Sequence, residues 1–323
     1  MRPTVYLAIP CYNEEAALPE TARRLREKFD ALLAEGKISP ASRICFIDDG
    51  SKDGTWPLIE ALHRENRVFS GLKLSRNRGH QNALLCGLMT LCDRADCVIS
   101  MDADLQDDIS AMDEMLQKFS EGCDVVYGVR LDRRTDSALK RFTAEGYYRL
   151  LRRMGAEVVF NHADYRLLSR RALQALSQYG ESNIYLRGLV PMLGYQSGTV
   201  YYARGERVAG ESKYPLKKML ALAWEGITSL TMKPIRIVTA VGVPVTLVGL
   251  AVFILLLVRL CAGLTQPAWG LPVASVWTVG GLQLLAAGVI GEYVGKTYLE
   301  AKHRPRYFVE CELDERPTDI APH

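Results

Sequence analysis

An α/β domain with a mainly parallel sheet, followed by an amphipathic helix and an apolar helical hairpin, is the architecture this sequence predicts. Three observations lead there. Short apolar runs alternate with longer amphipathic ones through the first half of the chain, the pattern of strands joined by crossover helices. Polar motifs stand directly after these apolar runs, where ligands collect at the carboxyl ends of parallel strands. After Pro234 the chain turns almost continuously apolar, so a mean hydropathy near zero averages two regimes.

In chain order, strands are expected at Val5–Ile9, Ile44–Ile47, Leu72–Leu74, Cys97–Met101 and Val125–Tyr127. Helices are expected at Glu14–Leu33, Thr55–Glu65, Gln81–Leu91 and Ile109–Phe119, each with apolar residues at helical spacing. The motifs that follow the strands are Cys11-Tyr12-Asn13-Glu14, Asp48-Asp49-Gly50-Ser51, Arg76-Asn77-Arg78-Gly79, Asp102-Ala103-Asp104 and Arg130. Five strand ends converging on one polar rim are the fold-level evidence for an active site. A basic, less regular stretch runs from Asp132 to Arg171.

Pro215–Met232 reads as an amphipathic helix, with Leu216, Met219, Leu220, Ala223, Ile227 and Leu230 on one side. Placed directly before an apolar run, such a helix suits a bilayer surface; a helix of the soluble core is the alternative. Ile237–Val258 and Leu271–Gly291 hold no charged residue. At about 1.5 Å per residue each can cross a hydrocarbon core of about 30 Å. Lys217, Lys218, Lys233 and Arg236 flank the entry, Lys296, Lys302, Arg304 and Arg306 the exit, and Arg259 stands alone in the Arg259–Gly270 connection. By the positive-inside rule both termini are cytosolic. The expected organisation is a cytosolic catalytic domain over 1–214, an amphipathic helix over 215–233, two transmembrane helices within 234–295 (about 235–259 and 271–294), and a cytosolic tail over 296–323. Small residues in the second span (Gly280, Gly281, Ala286, Ala287, Gly288) would allow close helix contacts and hence a homo-oligomer.

Composition narrows the function classes. A formal net charge of +3 makes no case for nucleic acid. The eight cysteines contain no CxxC pair, and Cys86, Cys92 and Cys97 lack the spacing of a zinc site. They read as reduced thiols, several acting as small buried hydrophobes. No basic region precedes an apolar segment at the N-terminus, so no secretion signal is expected.

Asp102 and Asp104 close the fourth strand. In an extended segment residues two apart face the same side, so both carboxylates can reach one point. Paired hard oxygens suit Mg2+ or Mn2+ bound partly by substrate phosphates. Asp48–Thr55 reads as a strand end, a tight turn and a helix start. Asp53 and Thr55 serve as helix caps in this reading, while Asp48 and Asp49 can accept hydrogen bonds from a nucleobase or ribose. His80 and His162 read as structural.

The segments Pro10-Cys11-Tyr12-Asn13-Glu14-Glu15, Asp48–Thr55 and Asp102-Ala103-Asp104-Leu105-Gln106 resemble, in order and spacing, those of family 2 glycosyltransferases. Arg204-Gly205-Glu206-Arg207-Val208-Ala209-Gly210-Glu211-Ser212-Lys213-Tyr214 is similar to the signature of the polyprenyl-phosphate branch, which includes dolichol-phosphate mannose synthases, bactoprenol glucosyltransferases and undecaprenyl-phosphate aminoarabinose transferases. Gly291-Glu292-Tyr293 through Arg304-Pro305-Arg306-Tyr307 resembles the tail of the bacterial members. The similarity covers nearly the whole chain.

That resemblance implies a GT-A nucleotide-sugar-binding, Rossmann-like domain, with Pro10, Tyr12, Glu14 and Asp49 holding the nucleoside. Asp102, Asp104 and Gln106 would handle metal and diphosphate. Arg130 and Arg141 match positions near donor or acceptor phosphates, Asp164 a position near the reacting sugar, and Arg207, Ser212 and Lys213 a loop that closes over the phosphates. The catalytic set is then Asp104, Arg130, Arg141, Asp164 and Arg207. Two departures stand out: Asp107-Asp108 where many relatives have proline after Gln-Asp or Gln-Asn, and Asn161-His162-Ala163 where relatives often carry acidic or glycine residues.

The implied activity is inverting transfer of a hexose from a nucleotide diphosphate sugar, with UDP-glucose the leading donor, to undecaprenyl or related polyprenyl phosphate. It would run at the cytosolic face of the inner (plasma) membrane, with a tetramer as the leading assembly. A lipid phosphate is already anionic, so a general base is less needed than for a sugar hydroxyl. A processive polysaccharide synthase is disfavoured because the chain has no Gln-x-x-Arg-Trp motif. A nucleotide-sugar sensor or flippase scaffold is the reading from another class.

Overall fold

The computed structural model describes residues 2–130, 162–180, 185–203 and 270–314, with single helical positions at 244, 258 and 261. Arg141, the 204–214 loop with Arg207, Ser212 and Lys213, the 215–233 helix and most of Ile237–Val258 lie outside the described residues.

The strands are β1 (Val5–Cys11), β2 (Arg43–Asp48), β3 (Phe69–Leu74), β4 (Cys97–Ser100), β5 (Val125–Arg130), β6 (His162–Ser169), β7 (Ser197–Tyr202) and β8 (Val309–Leu313). They form one sheet in the order β7-β5-β6-β4-β1-β2-β3-β8. β1 pairs in parallel with β2 and β4, β2 with β3, and β5 with β7. β6 runs antiparallel between β4 and β5, and β8 antiparallel along β3. All five expected strands are present. β1 is buried along its whole length, which is why it reads as a continuous apolar run rather than an alternating one.

Helices α1 (Leu18–Ala34), α2 (Thr55–Glu65) and α4 (Ala111–Ser120) pack on one face of the sheet; α3 (His80–Leu91), α5 (Arg170–Ser177) and α6 (Leu186–Met192) cover the other. α1 buries Leu18, Ala22, Leu25, Phe29 and Leu32, a stripe at helical spacing. It starts four residues later than expected. Glu14 to Ala17 form a turn, and Pro19 occupies the first helical turn, where its missing N–H costs nothing. α3 is buried nearly all round, so its weak amphipathic signal reflects a helix enclosed by its neighbours.

β6 falls in the stretch expected to be irregular. Its sequence hides it because Asp164 and Arg166 alternate with Tyr165 and Leu167, and all four are buried. A polar pair in an interior strand is tolerated only when its charges meet each other, as these do. A second difference is at the C-terminus. The tail carries β8, in which Glu310 pairs with Lys73 at 3.0 Å, while Arg94 bonds Glu312 at 2.5 Å and Asp314 at 2.8 Å. Arg306 donates to the Tyr179 carbonyl at 2.8 Å. The 305–314 segment therefore belongs to the sheet unit. Separately, α7 (Gly270–Ala301) is a helix of 32 residues and contains the second expected span. Among the described residues no helix is long and apolar enough to cross a membrane.

The β2–α2 turn depends on Gly50. Its φ is +68°, and a Cβ there would come within 2.6 Å of the Arg76 carbonyl carbon and the Asn77 nitrogen. Gly50→Ala is expected to cost at least about 2 kcal/mol, from left-handed backbone plus a clash with main chain. Thermal unfolding measures this; an unchanged midpoint would show that the two loops are not in contact.

Candidate active site

The site begins with two loops braced by each other's polar groups. After β1, the Asn13 amide donates to the Ser51 hydroxyl (3.0 Å) and the Glu14 amide to the Thr55 hydroxyl (2.9 Å). In return the Lys52 amide donates to Asn13 Oδ1 (2.9 Å) and the Gly54 amide to Glu15 Oε2 (2.9 Å). Asn13 adopts a φ of +53° to make the exchange, a region asparagine tolerates better than most residues. The result leaves Tyr12 exposed on the rim while Pro10 is buried in β1 opposite Ile47. Asp53 accepts from both the amide (3.1 Å) and the hydroxyl (2.6 Å) of Thr55 at the start of α2. The N-cap itself is Gly54, with no side-chain cap; Asp53, one residue earlier, ties down the first residue of the helix, and Thr55 serves the neighbouring loop.

Asp49 is buried, and its two oxygens accept the Arg78 amide at 2.7 Å and the Gly79 amide at 2.9 Å. It clamps the turn between β3 and α3, so its first role is to position that turn. Asp48 accepts the Ser51 amide through Oδ1 (3.1 Å), while its buried Oδ2 has no hydrogen-bond partner among the described residues. Burial raises the pKa of both carboxyls above the ordinary value.

Beyond β4 the chain does not stay extended. Residues 103–104 turn, and Leu105 adopts a φ of +51°. The cause is visible: the buried Thr21 hydroxyl, on α1, lies 2.8 Å from the Ala103 carbonyl oxygen, and Leu105 is drawn into the core. Strand alternation is therefore not what sets Asp102 and Asp104. A strained turn does, and such strain concentrates at functional sites. Burial pushes the Asp102 carboxyl up to about 6; His80 opposes the rise, and Asp164, Asp107 and Asp104 add to it. Gln106 is buried, and its amide donates to Asp104 Oδ1 at 3.2 Å.

Asp164 lies on β6, buried, with the fully buried Arg166 at 2.5 Å and Arg187 of α6 at 3.1 and 3.2 Å. Burial alone would raise its pKa, but Arg187, His80 and Arg166 hold it well below the usual carboxylate range. His80, at the first turn of α3, places Nε2 3.5 Å from Asp102 Oδ1 and 3.7 Å from Asp164 Oδ2. On the other flank Arg130 ends β5 just after a register shift at Gly128. A Cβ on Gly128 would meet the Tyr165 carbonyl at 2.9 Å and the Tyr202 ring at 3.0 Å. Bulges of this kind re-aim a side chain beside a site. Arg130 Nη2 donates to Asp107 Oδ1 at 2.8 Å, and the Tyr202 hydroxyl donates to the same oxygen at 2.5 Å.

The structure thus puts Asp102 and Asp164 on either side of His80, leaves Asp104 and Asp107 close enough to Asp102 to act on its charge, pairs Arg130 with Asp107, and keeps Tyr12, Glu14 and Asp49 on the rim formed by β1 and β2. His80, Arg187, Asp107 and Tyr202 were not picked out as site residues by their sequence pattern. Arg187 alone left a signal, as the single charge in the apolar run Ile184–Leu193. Asp108, which stands in place of proline, accepts the amide (2.9 Å) and hydroxyl (2.7 Å) of Ser110. A hydrogen-bonded turn does there what a proline ring does elsewhere.

Among the described residues no group of three or more His, Cys, Asp or Glu side chains could by itself hold a metal ion. Asp102 and Asp104 fit the open kind of site, in which Mg2+ or Mn2+ takes one or two carboxylates and completes its shell with phosphate and water. Burial first, and then the neighbouring Asp164, Asp107 and Asp104, raise the Asp102 carboxyl, and a bound cation would oppose both effects.

Carboxylates and cations gather here at the carboxyl ends of the strands, where ligands bind in open α/β sheets. Residues 6–177 match the model for glycosyl transferase family 2, and the chain belongs to that family. It is 46% identical over 312 residues to the Bacillus subtilis (strain 168) protein named uncharacterized glycosyltransferase YkoT, covering 97% of this chain and 93% of the relative. It is 37% identical to the bactoprenol glucosyl transferase of Shigella phage SfV, over 95% of this chain and 98% of that one. Among solved structures, glucosyl-3-phosphoglycerate synthase of Mycobacterium tuberculosis superposes with a TM-score of 0.45 and 17% identity, covering 71% of this chain and 78% of the other.

The Asp107–Arg130–Tyr202 knot yields an ordered expectation. Asp107→Ala, which strands a half-buried guanidinium, should cost about 3 kcal/mol. Tyr202→Phe, which removes the hydroxyl's bonds to Asp107 and Arg130 but leaves the ion pair, should cost about 1 kcal/mol. Denaturant unfolding checks the order, and equal losses would contradict the placement of Asp107 at the centre of the knot.

Proposed function

We propose that this glycosyltransferase moves a hexose, with glucose the first candidate, from a UDP-sugar to undecaprenyl or a related polyprenyl phosphate, inverting the anomeric centre. The observation that carries this reading is 37% identity, across nearly the full length of both chains, to a bactoprenol glucosyl transferase. It is joined here to a carboxylate-rich site at the strand ends.

On this reading Tyr12, Glu14 and the Asp49-clamped rim receive the nucleoside. Asp102 and Asp104 would hold the divalent ion, which when bound offsets charge on the leaving diphosphate. Arg130, fixed by Asp107 and Tyr202, offers a preorganised cation where a phosphate can dock. Arg141, Arg207, Ser212 and Lys213 complete the phosphate-binding set in the same proposal. Asp164, held ionised by two arginines, accepts hydrogen bonds from sugar hydroxyls rather than taking a proton. The acceptor phosphate is anionic and needs no base to become a nucleophile.

Membrane attachment belongs to the same proposal. The uncharged runs Ile237–Val258 and Leu271–Gly291 would form a hairpin preceded by an interfacial helix at 215–233, with the catalytic domain (1–214) and both termini in the cytosol. In support, Val276, Val279, Ile290, Val294 and Leu299 of α7 are exposed large hydrophobes. Close contact through the small residues of that helix would give a homo-oligomer, with a tetramer favoured.

The test is transfer of labelled sugar into the lipid phase in nanodiscs with undecaprenyl phosphate, Mn2+ or Mg2+ and a panel of UDP- and GDP-sugars. Label should move from UDP-glucose, stop on chelation, and fall at least about a hundredfold in Asp104→Ala. No transfer from any donor despite measurable UDP binding would overturn the reading.

A further inference from the structure

His80 stands outside the roles assigned so far, yet its ring lies between the two halves of the site. Its Nε2 sits between Asp102 Oδ1 (3.5 Å) and Asp164 Oδ2 (3.7 Å). One of these carboxylates belongs to the turn after β4, the other to β6. Without a positive or hydrogen-bonding group between them, two carboxylates this close to a common point repel.

The ring's position is itself over-determined. Gly79, with φ of +86°, turns the chain into α3, and Asp49 holds that turn by the Arg78 and Gly79 amides. Asn82 Nδ2 donates back to the Arg78 carbonyl at 2.8 Å. One residue beyond His80, Gln81 Oε1 accepts the Leu186 amide at 3.2 Å, which fixes the start of α6. Leu186 in turn offers its carbonyl to Arg166 Nη1 at 3.2 Å, and Arg187 grips Asp164. The first turn of α3 therefore ties the nucleoside rim, through Asp49, to the Asp164 end. His80 is the side chain that it delivers into the gap.

We infer that His80 is a positioning residue for the transfer: it sets the spacing between Asp102 and Asp164, and so aligns the sugar end of the donor without contributing to nucleoside binding. This rests on the proposed donor reading, in which diphosphate lies at Asp102 and sugar at Asp164. The nucleoside rim, being built from β1 and β2, is left intact when the imidazole is removed.

The test compares wild type, His80→Ala and His80→Gln, each as full chain in nanodiscs. Gln keeps an amide donor near the Nε2 position. Four readouts are taken: Kd for UDP, the ratio of Kd for UDP-glucose to Kd for UDP, kcat against KM for transfer, and the unfolding temperature. Wild-type transfer decides the function proposal by itself, and the binding ratio does not depend on transfer. The expected result for His80→Ala is an unchanged Kd for UDP, a ratio raised about fivefold, and kcat lowered about tenfold or more, with donor KM rising by no more than the same fivefold. Partial recovery is expected in His80→Gln. A binding ratio and kcat equal to wild type in His80→Ala would overturn the inference. So would a joint fall in UDP affinity and unfolding temperature, unrecovered in His80→Gln, because it would make His80 a structural support of α3 alone.

Discussion

A buried charge cluster on β6 is what the rest of the site is arranged around. Asp164 and Arg166 lie on an interior strand, at 5% and 1% exposure, where neither could be accommodated alone. An unpaired charge there costs several kcal/mol, whereas a well-made pair roughly breaks even. Together they let a polar strand enter the middle of the sheet between β4 and β5. That insertion brings a second carboxylate beside the Asp102 turn. Arg187 completes the cluster from α6, so the fold of the 185–203 region and the chemistry of the site share the same ion pairs. Asp164 pays for its burial with two arginines and remains an acceptor, which suits a group that orients hydroxyls.

Around this cluster the loops are shaped by hydrogen bonds between side chains and main chain. Asp49 grips two amides, the loops after β1 and β2 exchange bonds in both directions, and Thr21 pulls the Ala103 carbonyl inward. Preorganisation of this kind lowers the reorganisation needed as charge develops on a leaving group. It also explains why acidic residues at neighbouring strand ends carry unlike duties. Asp49 and Asp53 build turns, and Asp107 fixes an arginine.

Much of this was legible in the sequence, for physical reasons. β1 to β5 announce themselves because central parallel strands are apolar on both faces, and α1, α2 and α4 because one face of each is wet. The rim motifs were placed correctly at strand ends. What escaped was whatever depended on charges meeting across sequence distance. β6 looks irregular until Arg166 finds Asp164 and Leu186. The Asp102–Asp104 pair looks like strand alternation until the turn at Leu105 is seen, and His80 looks incidental until the first turn of α3 sets it between Asp102 and Asp164. β8 was hidden for a similar reason, since its acidic residues read as a solvated tail until Lys73 and Arg94 pair with them.

The central claim is that Asp164 and Arg166 are tolerated in the sheet only as a pair, and that the site inherits its geometry from them. A double-mutant cycle with Asp164→Asn, Arg166→Met and the double variant, read by denaturant unfolding, tests it most directly. Each single change should cost about 3 kcal/mol or more, and the double change should cost clearly less than their sum, by about 2 kcal/mol. Strictly additive losses would contradict the account, because they would mean that each group is held in the interior independently of the other.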